Sequence, residues 1–159
     1  MEKTLFECCK DSDFEIAKKL IEKGADINAK DQYGKTGLIY AGRCDSLEMA
    51  KLLIEKGADV NAKDGDDETA LLDTCHWGLP ETVKLLLKNG ADINAKNKDG
   101  RTGLMVVSVW GGTEIVKILI DSGADINVKD IKGMTALIIA SFYRHTEIID
   151  LLKKKGATE

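Results

Sequence analysis

Apolar residues recur along the chain in pairs of short groups, and this pattern repeats every 33 residues. The second group of each pair has helical spacing, as in Val83, Leu85, Leu86 and Leu87. The first group follows a threonine such as Thr36, whose hydroxyl is suited to accept a backbone N–H at the start of a helix. The pattern predicts two short helices per cycle, the first over residues 37–44 and the second from residue 47 onwards in the cycle that follows Thr36.

The ends of the predicted helices carry the signals expected of helix termini. Pro80, the only proline, falls at the start of a second helix, where its missing N–H costs nothing. Each second helix ends at a glycine such as Gly90, which adopts the left-handed conformation readily. A glutamate, whose charge suits the positive end of the helix dipole, occupies the first turn of every second helix, at Glu15, Glu48, Glu81, Glu114 and Glu147.

Two phrases recur with the same period and connect the helices. The phrase Asp-x-x-Gly-x-Thr-x-Leu, with Asn or Asp substituted once each, supplies a tight turn and occurs at 31–38, 64–71, 97–104 and 130–137. The phrase Gly-Ala-Asp-Ile-Asn, with Val once, occurs at 24–28, 57–61, 90–94 and 123–127, and begins a fifth time at residue 156. A fixed period of this length predicts a stacked array, in which each unit buries its apolar face only against its neighbours.

On these motifs the chain resembles the ankyrin repeat family, and the resemblance covers essentially all 159 residues. It implies an all-α fold class, an ankyrin-repeat solenoid of stacked helix-turn-helix units with β-hairpin or turn fingers. We expect a single domain over residues 1–159, with internal repeats at 31–63, 64–96 and 97–129. We expect a cap repeat at 1–30 and another at 130–159, because Lys19 and Lys153 interrupt the apolar pattern there.

The sequence departs from the family pattern at two points. Ankyrin repeats usually begin the first helix with Thr-Pro-Leu-His, whereas this chain reads, for example, Thr36-Gly37-Leu38-Ile39. All four copies have Gly or Ala for the proline and an apolar residue for the histidine, so we interpret the change as packing that replaces the histidine's hydrogen bonds. In one turn Asp67 replaces the usual glycine, and aspartate tolerates the left-handed conformation better than most residues.

Composition narrows the class of protein further. The net charge of −4 argues against nucleic-acid binding, and no stretch approaches the ~20 apolar residues of a membrane span. The four cysteines form no Cys-x-x-Cys pair, which argues against a zinc or redox site and favours packing roles in a reducing compartment. We therefore expect no cofactor and no metal, and a cytoplasmic protein or an effector exported without a signal peptide.

The resemblance also implies where a partner binds. Ankyrin-like proteins usually hold partners with the turn tips and the exposed side of the first helix, which line the concave face. Carried over to this sequence, the candidate partner-binding residues are Tyr33, Tyr40, Arg43, Cys44, Asp73, His76, Trp77, Arg101, Val106, Val109, Trp110, Met134, Ile139, Phe142 and Tyr143. We expect a monomeric, non-catalytic protein–protein interaction module that binds a protein or peptide there.

One position of the repeat carries an unusual set of side chains. Cys44, Trp77, Trp110 and Tyr143 occupy it in successive repeats. Stacked repeats bring equivalent positions to about 10 Å, so the three aromatic side chains are expected to form a ladder. An exposed apolar strip typically marks a partner site, and a dimer through the strip is a variant of that hypothesis. The alternative is that the aromatic side chains fill the core beneath the fingers.

Two other classes of function stay open at the level of sequence. A thiol-dependent enzyme would use Cys44 as nucleophile, His76 as base and Asp73 as orienting group, although no oxyanion-hole sequence accompanies them. The other histidine, His145, is expected to be solvated in the loop between two helices. A designed or purely structural scaffold would have no natural partner, but the irregular repeats and free cysteines favour a natural protein.

Overall fold

A computed structural model describes residues 3–158 as a stack of helix pairs. Met1, Glu2 and Glu159, which the predicted cap repeats include, lie outside the described residues. The inner layer consists of α1 (Leu5–Asp11), α3 (Gly37–Arg43), α5 (Ala70–Trp77), α7 (Gly103–Trp110) and α9 (Ala136–Phe142). The outer layer consists of α2 (Phe14–Glu22), α4 (Leu47–Glu55), α6 (Pro80–Lys88), α8 (Thr113–Asp121) and α10 (Thr146–Lys154).

Each inner helix packs against the next inner helix and against the outer helix that follows it in sequence. The predicted all-α repeat architecture is confirmed. The division of the chain after residues 30, 63, 96 and 129 stays a prediction, and we number the repeats one to five by those bounds. None of the helices within residues 3–158 is both long enough and apolar enough to cross a bilayer.

The core is continuous along the stack and lies between the two layers. Outer helices contribute fully buried side chains such as Leu53, Leu86 and Leu119, which recur with the period of the sequence. Inner helices contribute Leu38 and its equivalents from the other side. At about 25 cal/mol per Å² of apolar surface, this shared burial is what holds neighbouring repeats together, because no single pair of helices has a core of its own.

Helix starts agree with the sequence signals except at one threonine. The hydroxyls of Thr36, Thr69 and Thr135 accept the backbone N–H three residues later, at 3.2 to 3.4 Å. Thr102 has the same extended backbone but makes no side-chain capping bond. Pro80 begins α6, as predicted from its missing N–H. A threonine cap is worth about 1 kcal/mol, so these bonds help to fix where each inner helix begins.

The fingers are the turns before each inner helix, at residues 31–35, 64–68, 97–101 and 130–134. The described residues contain a single isolated β-bridge, between Lys30 and Thr36, so the fingers are turns and not regular hairpins. In each finger the Oδ1 of the first side chain accepts two backbone N–H groups of the turn. In the first finger Asp31 accepts the N–H of Tyr33 at 2.8 Å and of Lys35 at 2.9 Å.

The asparagine that ends each Gly-Ala-Asp phrase links one repeat to the next. Asn61 accepts the backbone N–H of Asp92 at 2.7 Å, and its amide donates to the carbonyl of Gly90 at 2.9 Å. Asn28 makes the same two bonds to the following repeat. Each phrase therefore joins two loops through one side chain, which gives the repeated asparagine a structural role.

Glycine and alanine alternate at the start of the inner helices for a packing reason. A Cβ added at Gly37 would lie 3.0 Å from the sulfur of Cys9, and one added at Gly103 would lie 3.0 Å from the sulfur of Cys75. The alanines that begin α5 and α9 follow repeats in which the cysteine is replaced by Gly42 or Ser108. At the position where the family has proline, glycine therefore occurs where the preceding repeat has a cysteine, and alanine occurs where that repeat has glycine or serine.

This match predicts that Gly103 and Cys75 are energetically coupled. Alanine at a helix start is ordinarily favoured over glycine by about 0.5 kcal/mol, but in Gly103→Ala the new methyl meets a fully buried sulfur. We expect Gly103→Ala to destabilise the protein alone and to stabilise it in a Cys75→Ala background. Urea unfolding of the two single variants and the double variant gives a coupling of about 1 kcal/mol if this is right. Additive effects would contradict it.

Candidate functional site

The fingers and the inner helices together line one face of the stack, which we call the groove. The fingers are held in a line because the backbone of each one bonds to the next. The N–H of Gly65 donates to the carbonyl of Tyr33 at 2.8 Å, and the N–H of Ile131 donates to the carbonyl of Asp99 at 3.0 Å. A Cβ at Gly65 would lie 3.0 Å from the Tyr33 oxygen, so a glycine suits this close approach.

Each finger also has one residue with left-handed backbone at its bend. Gly34, Gly100 and Gly133 occupy this position with φ of 74° to 77°, and Asp67 occupies it with φ of 60°. The predicted left-handed aspartate is confirmed. The backbone on either side of it is held by Asp64, whose Oδ1 accepts two finger N–H groups. The fingers therefore present their remaining side chains from a fixed backbone.

Asp64 is the buried anchor of the second finger. Burial opposes its ionisation, but an ion pair with Lys35 and bonds from the N–H groups of Asp66 and Glu68 outweigh burial and leave the pKa of Asp64 below its ordinary value. Burial raises the pKa of Glu68, whose carboxylate accepts a bond from the Asn97 amide at 2.8 Å. This finger thus carries two carboxyl groups whose pKa values are displaced in opposite directions.

The depressed pKa of Asp64 predicts an acid-dependent loss of stability. A carboxyl with a lowered folded-state pKa contributes stability above its unfolded pKa of about 3.9, and this contribution is lost as the pH falls through the folded-state value. We expect Asp64→Asn to cost about 1 kcal/mol at pH 7, and this cost to decrease towards zero as the pH falls below the folded-state pKa of Asp64. Asp66→Asn, at an exposed fingertip, is the matched control. Urea unfolding across this range is the measurement, and a pH-independent cost would contradict the assignment.

The aromatic position at the end of the inner helices is on the surface. Trp77 is 52% exposed, Trp110 is 42% exposed and Tyr143 is 49% exposed. Cys44, in the same position of repeat two, is only partly exposed. These side chains are therefore at the edge of the groove and are not enclosed in the core beneath the fingers.

Trp110 differs from Trp77 because it bridges two repeats. Its Nε1 donates to the carbonyl of Cys75 at 3.2 Å. Its six-membered ring lies over two glycines of the loops between helices, so that a Cβ at Gly112 would come within 2.2 Å of it and one at Gly78 within 3.1 Å. Trp110 is thus both partly exposed and part of the joint between repeats three and four.

His145 makes the equivalent link in the last repeat, and the expectation that it is solvated is wrong. The side chain is partly buried, and its Nε2 lies 3.1 Å from the carbonyl of Val109. The ring also stacks on Tyr143 with centroids 6.2 Å apart. The reason is that Gly111 has no side chain, which leaves room for the imidazole of the following repeat.

A depression of about 330 Å³, which we call the middle depression, lies in the groove at repeats two to four. Arg43 bridges it, donating from Nε and Nη2 to the two carboxylate oxygens of Asp73 at 3.2 Å each. The same guanidinium lies over the Trp77 ring, 5.8 Å from its centroid. The lining is Lys35, Arg43, Asp64, Asp66, Glu68, Leu72, Asp73, His76, Trp77 and Val106, so carboxylates outnumber cationic side chains.

A second depression of about 240 Å³, which we call the C-terminal depression, lies between repeats four and five. Its apolar lining is Val109, Met134, Ile139, Phe142 and Tyr143. The polar lining is Arg101 and Lys132, so both charged side chains are cationic. Phe142 is 74% exposed and packs edge-to-face on Tyr143, with ring centroids 5.1 Å apart.

The remaining candidates lie at the N-terminal end of the groove. Tyr33 is 63% exposed at the tip of the first finger. Tyr40 is buried, and its hydroxyl donates to Asp31 Oδ2 at 2.6 Å. Burial together with this carboxylate raises the pKa of Tyr40 to about 12. Tyr40 therefore supports the finger from below and leaves Tyr33 as the aromatic side chain that faces solvent.

The structure thus divides the predicted binding residues into three groups. Exposed side chains are Tyr33, His76, Trp77, Trp110, Phe142 and Tyr143. Partly buried side chains are Arg43, Cys44, Arg101, Val106, Val109 and Met134. Buried side chains, which hold their neighbours in place, are Tyr40, Asp73 and Ile139. The exposed Ile131 and the cationic Lys132 stand beside this set, at fingertip positions of the repeat.

Two of the three residues of the alternative enzyme hypothesis, Cys44 and Asp73, have other partners. The Cys44 sulfur donates to the carbonyl of Lys10 at 3.3 Å, and burial raises the pKa of this thiol. The Asp73 carboxylate is paired with Arg43 and not with His76. Among residues 3–158, no group of three His, Cys, Asp or Glu side chains is placed to hold a metal ion.

Comparison with known proteins defines the class. A family model described as ankyrin repeats, in three copies, matches residues 5–97 and 71–158. The chain therefore belongs to the ankyrin repeat family. Ankyrin repeats are generally protein–protein interaction modules, and the family is typically non-enzymatic. No curated protein matches the chain significantly.

Proposed function

We propose that this protein binds a protein partner in its groove, through the exposed side chains of the fingers and inner helices, and catalyses no reaction on it. One observation carries the proposal. Among residues 3–158, the exposed large apolar side chains other than Ile16 all belong to a finger or to the end of an inner helix: Tyr33, Trp77, Trp110, Ile131, Phe142 and Tyr143. Exposed apolar side chains gathered on one face are a feature of interaction sites.

The chemistry of these side chains supports a protein as the partner. Trp and Tyr are enriched among the residues that contribute most to protein–protein binding. The cationic side chains of the groove are few, and Arg43 is already committed to Asp73. A nucleic-acid site needs a basic face, which the net charge of −4 does not favour.

The outer helices give the contrasting surface. Lys51, Lys84 and Lys117 are exposed at equivalent positions there, and Lys117 pairs with Glu147 at 3.0 Å. The core of a protein–protein interface is apolar and depleted in charged residues. This row consists of solvated lysine side chains, so it does not resemble such a core. We propose that the protein acts as a monomer in the cytoplasm, where its four free cysteines stay reduced.

Site-specific photo-crosslinking tests the proposal. A benzophenone amino acid replaces His76 in the groove in one variant and Lys51 on an outer helix in the other, and both are irradiated in lysate of the natural host. We expect a discrete adduct from the groove position, competed by excess unlabelled protein, and none from the outer position. Adducts formed only at the outer position, or equally at both, would contradict the proposal.

A further inference from the structure

The C-terminal depression has the size of one large side chain. Its volume of about 240 Å³ corresponds to roughly eight water molecules at ~30 Å³ each. Ile139 is buried at 4% exposure, whereas Phe142 and Tyr143 are open to solvent at 74% and 49%. The walls are therefore available to a ligand, and filling the depression with an apolar group would remove two exposed aromatic side chains from water.

Its rim has two cationic side chains, of which Arg101 pairs with a carboxylate of the protein and Lys132 does not among residues 3–158. The Nε of Arg101 is buried without a hydrogen-bond partner in the described structure, and the Asp130 carboxylate lies 3.6 Å away. The other oxygen of Asp130 already accepts the N–H groups of Lys132 and Met134 at 2.9 Å each. Lys132 is exposed, and no carboxylate lines this depression. A ligand that enters it therefore meets the exposed ammonium of Lys132, beside an arginine that is already paired with Asp130.

The sign of the charge reverses along the groove. In the middle depression the carboxylates of Asp66 and Glu68 face the groove, and Asp66 is 84% exposed. The finger that carries Asp66 and Glu68 and the finger that carries Lys132 are two repeats apart, or ~20 Å at about 10 Å per repeat. An extended peptide covers that distance in about six residues. The groove thus offers an acidic section and an apolar, cationic section to the same bound segment.

We propose that the C-terminal depression binds a short internal segment of a partner protein, in which a large apolar side chain stands within two residues of an aspartate or glutamate. This inference rests on the proposed function and specifies the chemistry of the partner. The apolar side chain fills the depression, and the acidic side chain pairs with Lys132. A basic residue about six positions away from the apolar one meets Asp66 and Glu68.

The finger geometry favours an internal carboxylate over the carboxyl terminus of a partner. Terminal carboxylates are usually captured by a group of free backbone N–H donors. In this finger the N–H groups of Lys132 and Met134 are already bonded to Asp130. The ammonium group of Lys132 is the donor that remains at this site, and it is suited to pair with a carboxylate on a flexible side chain.

Selection from a phage-displayed library of random twelve-residue peptides tests the proposal. We expect peptides selected on the wild-type protein to be enriched in an aromatic residue or leucine beside an acidic residue. On the Lys132→Glu variant the preference for an acidic neighbour should change to a basic one, and wild-type-selected peptides should lose at least ~10-fold in affinity. Lys51→Glu makes the same charge change on an outer helix and should alter neither result.

Other outcomes overturn the inference in distinguishable ways. Peptides that lose affinity with Trp77→Ala but not with Lys132→Glu or Phe142→Ala would overturn it and leave the proposed function standing. Peptides that bind equally to all groove variants would overturn both, and failure to select any peptide would overturn the inference. Self-association of the wild-type protein that is abolished by Phe142→Asp would show that the occupant is a second copy of this chain.

Discussion

Replacing Trp110 with alanine is expected to lower the free energy of unfolding by about 2–3 kcal/mol, whereas Trp77→Ala is expected to cost less than about 1 kcal/mol. The two residues share a repeat position and a similar exposure. Only Trp110, however, bonds to the carbonyl of Cys75 and covers Gly78 and Gly112. Its removal leaves a gap between two repeats and an unpaired carbonyl, while Trp77 loses mainly the contact with Arg43.

Urea unfolding followed by circular dichroism measures this difference. Trp110→Phe is the control, because it retains an aromatic ring at this position while it shortens the side chain and removes the N–H donor. We expect its cost to fall between zero and that of the alanine variant. Equal costs for Trp77→Ala and Trp110→Ala would contradict the assignment of a structural role to Trp110 alone.

The ion pair between Arg43 and Asp73 is expected to show an asymmetric response to mutation. The side chain of Asp73 is only 8% exposed, whereas that of Arg43 is 38% exposed. Arg43→Met leaves a buried carboxylate without its partner, and we expect a cost of about 2 kcal/mol, less than for a fully buried pair because solvent reaches the arginine. Asp73→Asn leaves an arginine that turns to solvent, with an expected cost below about 1 kcal/mol.

The double variant Arg43→Met/Asp73→Leu separates the charge effect from packing. Replacing both members by apolar groups is often near neutral, so we expect it to be more stable than Arg43→Met alone. Urea unfolding of the three variants at pH 7 is the measurement. If Asp73→Asn lowers the free energy of unfolding more than Arg43→Met does, the difference in burial between the two side chains does not determine the response to mutation.

The architecture was predictable because it depends on a period, and a period survives local variation. The bounds of α4 and α6 followed from apolar spacing, from Pro80 and from the terminal glycines. The left-handed turn at Asp67 followed from its alignment with three glycines. Each of these features is set by residues close in sequence, which is why sequence patterns reveal them.

Contacts between repeats were not predictable in the same way. The bond from Trp110 to Cys75 and the placement of His145 over Gly111 depend on how two loops meet in space. The expectation for His145 failed because the alignment shows its loop but not the space left by the glycine of the preceding repeat. The sequence shows that an asparagine recurs at the end of the Gly-Ala-Asp phrase. Its two hydrogen bonds to the next repeat, however, depend on how the loops stack in space.

The measurement that tests the central claim most directly is a ¹⁵N–¹H spectrum of the two indole N–H groups during titration with a selected peptide. The chain contains only two tryptophans, and their signals are assigned with Trp77→Phe and Trp110→Phe. A partner in the groove is predicted to shift the signal of Trp77, which is 52% exposed beside the middle depression. Saturating binding that leaves both indole signals unmoved, while amides of the outer helices shift, would contradict the account.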